Sequence, residues 1–234
     1  MKPKGSDNMK NYKANINYFK KWEGLKTLGL GMLIVGFGGI WLARSFLMYF
    51  GGILLLAVGV VLFLIGNINR STEEEIRAEI ARHSEGVEFP EVETERHFYK
   101  RVPDAREILD FSGFCFSEGI FLKKMKNGSP CSSEYLVARM LLLTDAFYVK
   151  TRKFSLISDE KEEETLEIPF DSVEDVTVLR ENKSFSCGAK SLPVKLCHLA
   201  IVFDGGKRLC LPTTDDVYVD ELAARLKKLT EKSE

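Results

Sequence analysis

Residues 25–68 read LKTLGLGMLIVGFGGIWLARSFLMYFGGILLLAVGVVLFLIGNI. Two apolar runs flank Ala43-Arg44-Ser45. Leu25 to Ala43 is broken only by Lys26 and Thr27 near its start, and Phe46 to Ile68 only by Asn67 near its end. As helices rising about 1.5 Å per residue they would be roughly 28 and 34 Å long, against a hydrocarbon core of about 30 Å. One continuous helix would be far too long. It would also hold Arg44 near mid-bilayer, at about 2.5–3.5 kcal/mol on insertion scales. A hairpin puts Arg44 at an interface instead. The sequence therefore predicts two transmembrane helices. The turn falls at Ala43-Arg44-Ser45 or, with a shorter second helix, at Gly51-Gly52.

Basic residues orient the hairpin. Lys2, Lys4, Lys10, Lys13, Lys20, Lys21 and Lys26 precede it, Arg70, Arg77 and Arg82 follow it, and the turn holds only Arg44. The positive-inside rule predicts a multi-pass cell-membrane protein with two spans and both termini cytoplasmic. Tyr12, Tyr18, Phe19 and Trp22 then fall at one interface, and Trp41, Phe46, Tyr49 and Phe50 at the other. The first run has no small-residue cleavage pattern before Arg44, so it does not read as a signal peptide. No ionisable residue lies deep in either run, which argues against a proton relay or an ion pathway.

Glycines recur seven residues apart: Gly29 and Gly36, Gly31 and Gly38, and Gly52, Gly59 and Gly66. That spacing keeps small residues on one face, where two backbones can approach closely. Gly52, Gly59, Gly66, Gly29 and Gly36 are the expected helix-packing residues. Packing inside one hairpin and homo-oligomerisation both remain open from spacing alone.

The rest of the chain divides by composition. Residues 1–24 read as a polar, lysine-rich cytoplasmic tail lying along anionic headgroups. Residues 69–110 read as a charged juxtamembrane helix and linker. The helix is expected over Thr72–Arg82, with Ser71-Thr72-Glu73-Glu74 as a capping box and Glu79 spaced to meet His83. Pro103 to Leu109 has the look of one or two helical turns.

Residues 111–234 read mainly as strands. Phe114–Lys126 leads into the turn signal Asn127-Gly128, and aliphatic Glu134–Thr144 and aromatic Phe147–Arg152 follow. Asp159–Glu164 reads as an acidic loop, Thr165–Ile168 as a short strand, Val173–Leu179 as a strand and Asn182–Pro193 as a polar loop. Val194–Phe203 and Lys207–Leu211 flank Asp204-Gly205-Gly206, a hairpin turn. Val219, Leu222, Leu226 and Leu229 then share one face of a helix over Asp215–Leu229. The expected fold is α+β: a transmembrane hairpin, then about seven mainly antiparallel strands and a C-terminal helix.

Several stretches carry a resemblance. Leu143-Thr144-Asp145 runs into an aromatic strand, and Ile168-Pro169-Phe170-Asp171-Ser172-Val173 into another. Phe203-Asp204-Gly205-Gly206-Lys207 leads to Leu211-Pro212 and an amphipathic helix. Over Phe111–Thr230 this resembles the bacterial pleckstrin-homology-like and GRAM-like domains, which often sit beside one or two transmembrane helices. The resemblance implies a bent seven-stranded antiparallel barrel plugged at one end by the helix. It also implies headgroup contacts from basic residues on the first hairpin, here Lys123, Lys124 and Lys126. Lys150 and Arg152, on a later strand, complete the candidate ligand-binding set.

Chemistry-bearing patterns are missing from the sequence. Cys115, Cys131, Cys187, Cys197 and Cys210 form no C-x-x-C pair, and His83, His97 and His198 have no metal-ligand spacing. There is no P-loop, no G-x-S-x-G and no catalytic dyad, so neither an enzyme nor a cofactor is expected. Eight Lys or Arg against two acids give residues 1–68 a net charge of +6, and the chain's −1 leaves −7 for the remainder. That balance disfavours nucleic acid as a partner and confines any lipid recognition to a local patch. The sequence thus leads to a non-enzymatic, membrane-anchored interaction module. Its expected partners are the lipid bilayer and an unknown membrane or cytoplasmic protein. The alternative is an accessory subunit of a larger membrane assembly, packed through the glycine-rich hairpin.

Overall fold

The computed structural model describes residues 5–20, 23–67, 70–87, 108–143, 145–187 and 190–231. The expected linker over 88–101 and residues 103–107 of the helical turns expected over 103–109 lie outside the described residues, while Ile108 and Leu109, the last two of those turns, are strand instead. The chain divides into two units, Met1–Ile76 and Arg77–Glu234.

The first unit is helical: α1 (Gly5–Phe19), α2 (Glu23–Trp41), α3 (Phe46–Asn67) and the start of α4 (Glu73–Ser84). The α2–α3 turn lies at Leu42–Ser45, where the Ser45 carbonyl accepts from Tyr49 N at 3.1 Å. Gly51-Gly52 is therefore inside α3, and the first of the two expected turns is the one used. Among the described residues one helix, Phe46–Ile65, is long and apolar enough to cross a membrane, with a mean hydropathy of 2.6. Leu25–Trp41 is apolar but shorter.

Glycine sets how α2 and α3 pack. A Cβ added at Gly29 would lie 2.9 Å from the Gly59 carbonyl oxygen and 2.7 Å from Phe63 N. One added at Gly36 would lie 3.0 Å from the Gly52 carbonyl oxygen. Gly29 thus faces Gly59, and Gly36 faces Gly52, along an antiparallel pair whose backbones touch where side chains are missing. Four of the five expected packing glycines serve the hairpin itself, and the surroundings of Gly66 lie outside the described residues. Gly31 and Gly38 point elsewhere, with open space where a Cβ would stand.

Residues 5–19 are helical where a polar tail was expected. Tyr12, Asn15, Tyr18 and Phe19 are buried at three- and four-residue spacing. Ser71 Oγ donates to Asn15 Oδ1 at 2.5 Å, and Ser71 N donates to the Ala14 carbonyl at 3.2 Å. The capping box of α4 sits one residue later than expected. Thr72 N donates to Glu75 Oε2 at 2.7 Å, and Glu75 N donates to Thr72 Oγ1 at 3.2 Å.

The second unit is α+β with antiparallel sheets and a C-terminal helix. Nine strands are described: β1 (Ile108–Phe114), β2 (Leu122–Lys124), β3 (Pro130–Ser132), β4 (Glu134–Leu142), β5 (Ala146–Ser155), β6 (Lys161–Pro169), β7 (Val173–Cys187), β8 (Lys190–Phe203) and β9 (Lys207–Pro212). Helix α5 (Val217–Glu231) follows. Strands β1-β4-β5-β6 form one sheet, β7-β8-β9 a second, and β2-β3 a separate hairpin. The strands close no barrel among the described residues: the larger sheet ends at β1 and β6, and the smaller at β7 and β9.

One core joins both larger sheets to α5. Met140, Phe147 and Val149 from the first sheet meet Leu199, Ile201 and Leu211 from the second, with Leu222 and Leu226 of α5. Near the end of β9 the two sheets come close: a Cβ on Gly113 would lie 2.8 Å from Pro212 Cβ. Two expected loops are strands. The acidic run Lys161–Glu164 is the start of edge strand β6, where exposed glutamates discourage further pairing. Asn182–Pro193 extends the β7–β8 hairpin into a long arm that pairs as far as Cys187 with Lys190.

Candidate functional site

The candidate basic residues fall in two separate places. Lys150 and Arg152 lie on β5, in register with Arg139 and Val137 of β4. Alternation puts Arg139, Lys150 and Arg152 on one face of the sheet, opposite the shared core.

Arg152 is committed there. Its guanidinium donates to three backbone carbonyls at the end of α4: His83 at 2.8 Å, Glu85 at 2.7 Å and Gly86 at 3.2 Å. Its Nε donates to Glu163 Oε1 of the neighbouring strand at 2.9 Å. Arg139 repeats the arrangement one step away, donating to the Val87 carbonyl at 3.2 Å and to Asp110 Oδ1 at 2.7 Å. The His83 ring stacks on Phe154, with centroids 5.1 Å apart. A helix C-terminus leaves carbonyls without intrahelical donors and carries partial negative charge, so two guanidinium groups suit it on both counts. Arg152 is a clamp on α4, and its donors face protein. Beside the clamp lies a groove of about 350 Å³ lined by Ala81, Ser84, Val87, Asp110 and Arg139 among others.

Lys123, Lys124 and Lys126 sit on the β2–β3 hairpin. Its turn is closed by Met125 N to the Ser129 carbonyl at 2.9 Å and Gly128 N to the Met125 carbonyl at 3.0 Å. Gly128 has φ +88°, a conformation glycine adopts without penalty. The hairpin is not isolated. Leu122 packs with Leu192 and Val194 of β8, and Phe116, Ile120, Phe185 and Leu196 close around them. This second apolar cluster braces the lysine hairpin against the β7–β8 arm, which brings exposed Lys183 and Lys195 into the same lobe. Phe121, at the hairpin's base, is 38% exposed.

Lys183 was missed in the sequence because residues 182–193 read as loop, and Lys195, on the strand expected from Val194, had no visible link to the lysine hairpin. The signal was there: the aliphatic residues Leu192, Val194 and Leu196 recur at every second position, a strand period.

Elsewhere the ionisable groups serve packing. Lys153 Nζ meets Glu134 Oε2 at 2.9 Å, and that contact raises the lysine above its ordinary value. Burial pushes the Cys115 thiol up to about 11, against the opposing pull of Lys153, so it stays protonated and weakly nucleophilic. Cys197 and His198, adjacent on β8, point to opposite faces. Burial shifts each toward its neutral form, the thiol upward and the imidazole downward. Among the described residues no group of three or more His, Cys, Asp or Glu could hold a metal ion. No family model matches the chain, and no curated protein or solved structure is significantly similar to it.

Proposed function

We propose that this chain is a membrane-anchored, non-enzymatic interaction module. In this reading α2 and α3 are a two-span anchor with both termini cytoplasmic, and the β-rich unit is presented at the cytoplasmic face to bind a protein partner or a lipid headgroup. The observation that carries it is the hairpin. Its glycines interlock α2 with α3, while large apolar side chains such as Ile34, Phe37, Leu54 and Val61 remain uncovered by protein. An uncovered surface of that kind needs lipid. Four antiparallel strands, then three, then a helix support a pleckstrin-homology-like reading of the second unit.

Alkaline extraction and cysteine labelling test the proposal. The protein should resist extraction from membranes. A cysteine replacing Ser45 should react with an impermeant maleimide from outside intact cells, while one replacing Ser158 should react only after lysis. Release by alkali, or labelling of both positions from one side, would refute the two-span anchor.

A second reading, an accessory subunit of a larger assembly, is favoured by Gly31 and Gly38, which face open space. Leucine at both positions should abolish in-cell crosslinks to other membrane subunits if that reading holds, and leave them unchanged if it does not.

A further inference from the structure

The charge of the second unit is segregated. Residues 77–234 hold 24 Lys or Arg against 29 Asp or Glu, a net of −5. Residues 115–133 and 181–197, which include the hairpin and the arm, hold Lys123, Lys124, Lys126, Lys183, Lys190 and Lys195 against Glu118 and Glu181, a net of +4. The remainder of the unit is therefore −9. Its acids crowd elsewhere: Glu162, Glu163, Glu164 and Glu167 along β6, and Asp215, Asp216, Asp220 and Glu221 around the start of α5.

Two features make the lobe one body. The cluster of Leu122, Leu192 and Val194 with Phe116, Ile120, Phe185 and Leu196 fixes the hairpin to the arm. The Phe116 and Phe185 rings lie 5.9 Å apart. The charges at its surface are lysines on flexible stems, with no arginine fork to fix one anion geometry. The most exposed aromatic ring in the lobe is Phe121, on the lysine hairpin, suited to the boundary between headgroups and acyl chains.

We propose that this lobe docks on the anionic surface of the bilayer that holds the hairpin, by delocalised attraction and without a pocket for a particular headgroup. This rests on the membrane-anchored reading above, because tethering is what makes so small a patch sufficient. A soluble domain of net charge −5 would be repelled on average. A domain already confined near the membrane meets it at high effective concentration, so a few lysines within a Debye length orient it lobe-first. The acidic remainder then faces the cytoplasm, where it is open to a basic partner.

Hydrogen exchange of the full chain in lipid nanodiscs tests this. Discs of phosphatidylcholine alone are compared with discs in which a third of the lipid is phosphatidylserine or, separately, phosphatidylglycerol. Amides of residues 121–131 and 181–187 should be protected in both anionic discs and not in the neutral one, and high salt should remove the difference. Replacing Lys124 and Lys126 by Ala should lower the docked-to-free ratio by about fivefold per lysine, with exchange in β4 and β5 unchanged as the check on folding. Equal exchange in all discs, protection that demands one headgroup, or protection along β6 and α5 instead would overturn the proposal. A chain that fails to enter discs at all would sink the anchoring reading, and this inference with it.

Discussion

Gly36 and Gly52 face each other across the α2–α3 hairpin, so closely that a Cβ on either would stand 3.0 Å from the other's carbonyl oxygen. The facing carbonyl oxygens are backbone and cannot move aside, and the Ile40 and Leu56 side chains crowd the same space. Leucine at Gly36 or Gly52 should force the helices apart and destabilise the hairpin by about 1–3 kcal/mol or more. Leucine at Gly31 or Gly38 meets open space and should leave hairpin stability unchanged. Thermal unfolding of the four variants in detergent, followed by circular dichroism, separates the two faces. Equal losses at all four positions would mean that the facing pairs are not special.

Arg152 joins β5 to the end of α4 through bonds to carbonyls 66 to 69 residues away. Its loss removes a charged donor and leaves those carbonyls unpaired. Arg152→Ala should cost about 2–3 kcal/mol and speed amide exchange at Glu85–Val87. Arg152→Lys should not restore it, since one ammonium cannot span three carbonyls and Glu163 together. By contrast Lys124→Ala and Lys126→Ala should fall within about 0.5 kcal/mol of the unaltered chain, as exposed surface changes do. Urea titration of the four variants gives the ranking.

That contrast marks what could be read from the chain. The apolar runs and the Asn127-Gly128 turn depend on local pattern, and both appear where the sequence placed them. The role of Arg152 depends on partners brought together by folding, so composition offered only a basic residue on a strand. Two loops became strands for a related reason. Glutamates 162 to 164 look unfit for a sheet until Arg152 and Lys153 lie in register beside them. The arm's Asn182 and Ser184 are polar because that edge of the hairpin faces solvent. Helix α1 was illegible in the same way, since its weak apolar period gains support only from burial and from Ser71.

Acid should loosen α5 before it disturbs the core. The Lys227 ammonium beside Asp175 holds that carboxyl below the usual carboxylate range, and Arg180 does the same for Asp220. A carboxyl depressed on folding contributes stability above its unfolded value, about 3.9, and loses it as pH falls through the folded value. Both pairs are exposed at the surface, so the contribution is small and screened by salt. Asp175→Asn with Asp220→Asn should lower the urea midpoint slightly at pH 7, and the gap to the unaltered chain should close below pH about 4. A gap that widens in acid would reverse the assignment.

The independent folding unit should begin at Arg77, well before the strand region that the sequence starts at Phe111. Strand β1 already begins at Ile108, pairing Ile108 with Leu141, Leu109 with Met140 and Asp110 with Arg139. A fragment from Phe111 loses all three pairs, including the buried Leu109, worth about 1.5–3 kcal/mol on its own. It also loses every carbonyl that Arg139 and Arg152 hold. Residues 77–234 should unfold in one cooperative urea transition, and residues 111–234 should be less stable by at least about 3 kcal/mol. A fragment from Ile108 separates the causes, since it restores β1 and leaves the two arginines without the end of α4. Its midpoint should fall between the other two. Equal midpoints for all three fragments would show that neither the strand start nor the clamp contributes to the fold.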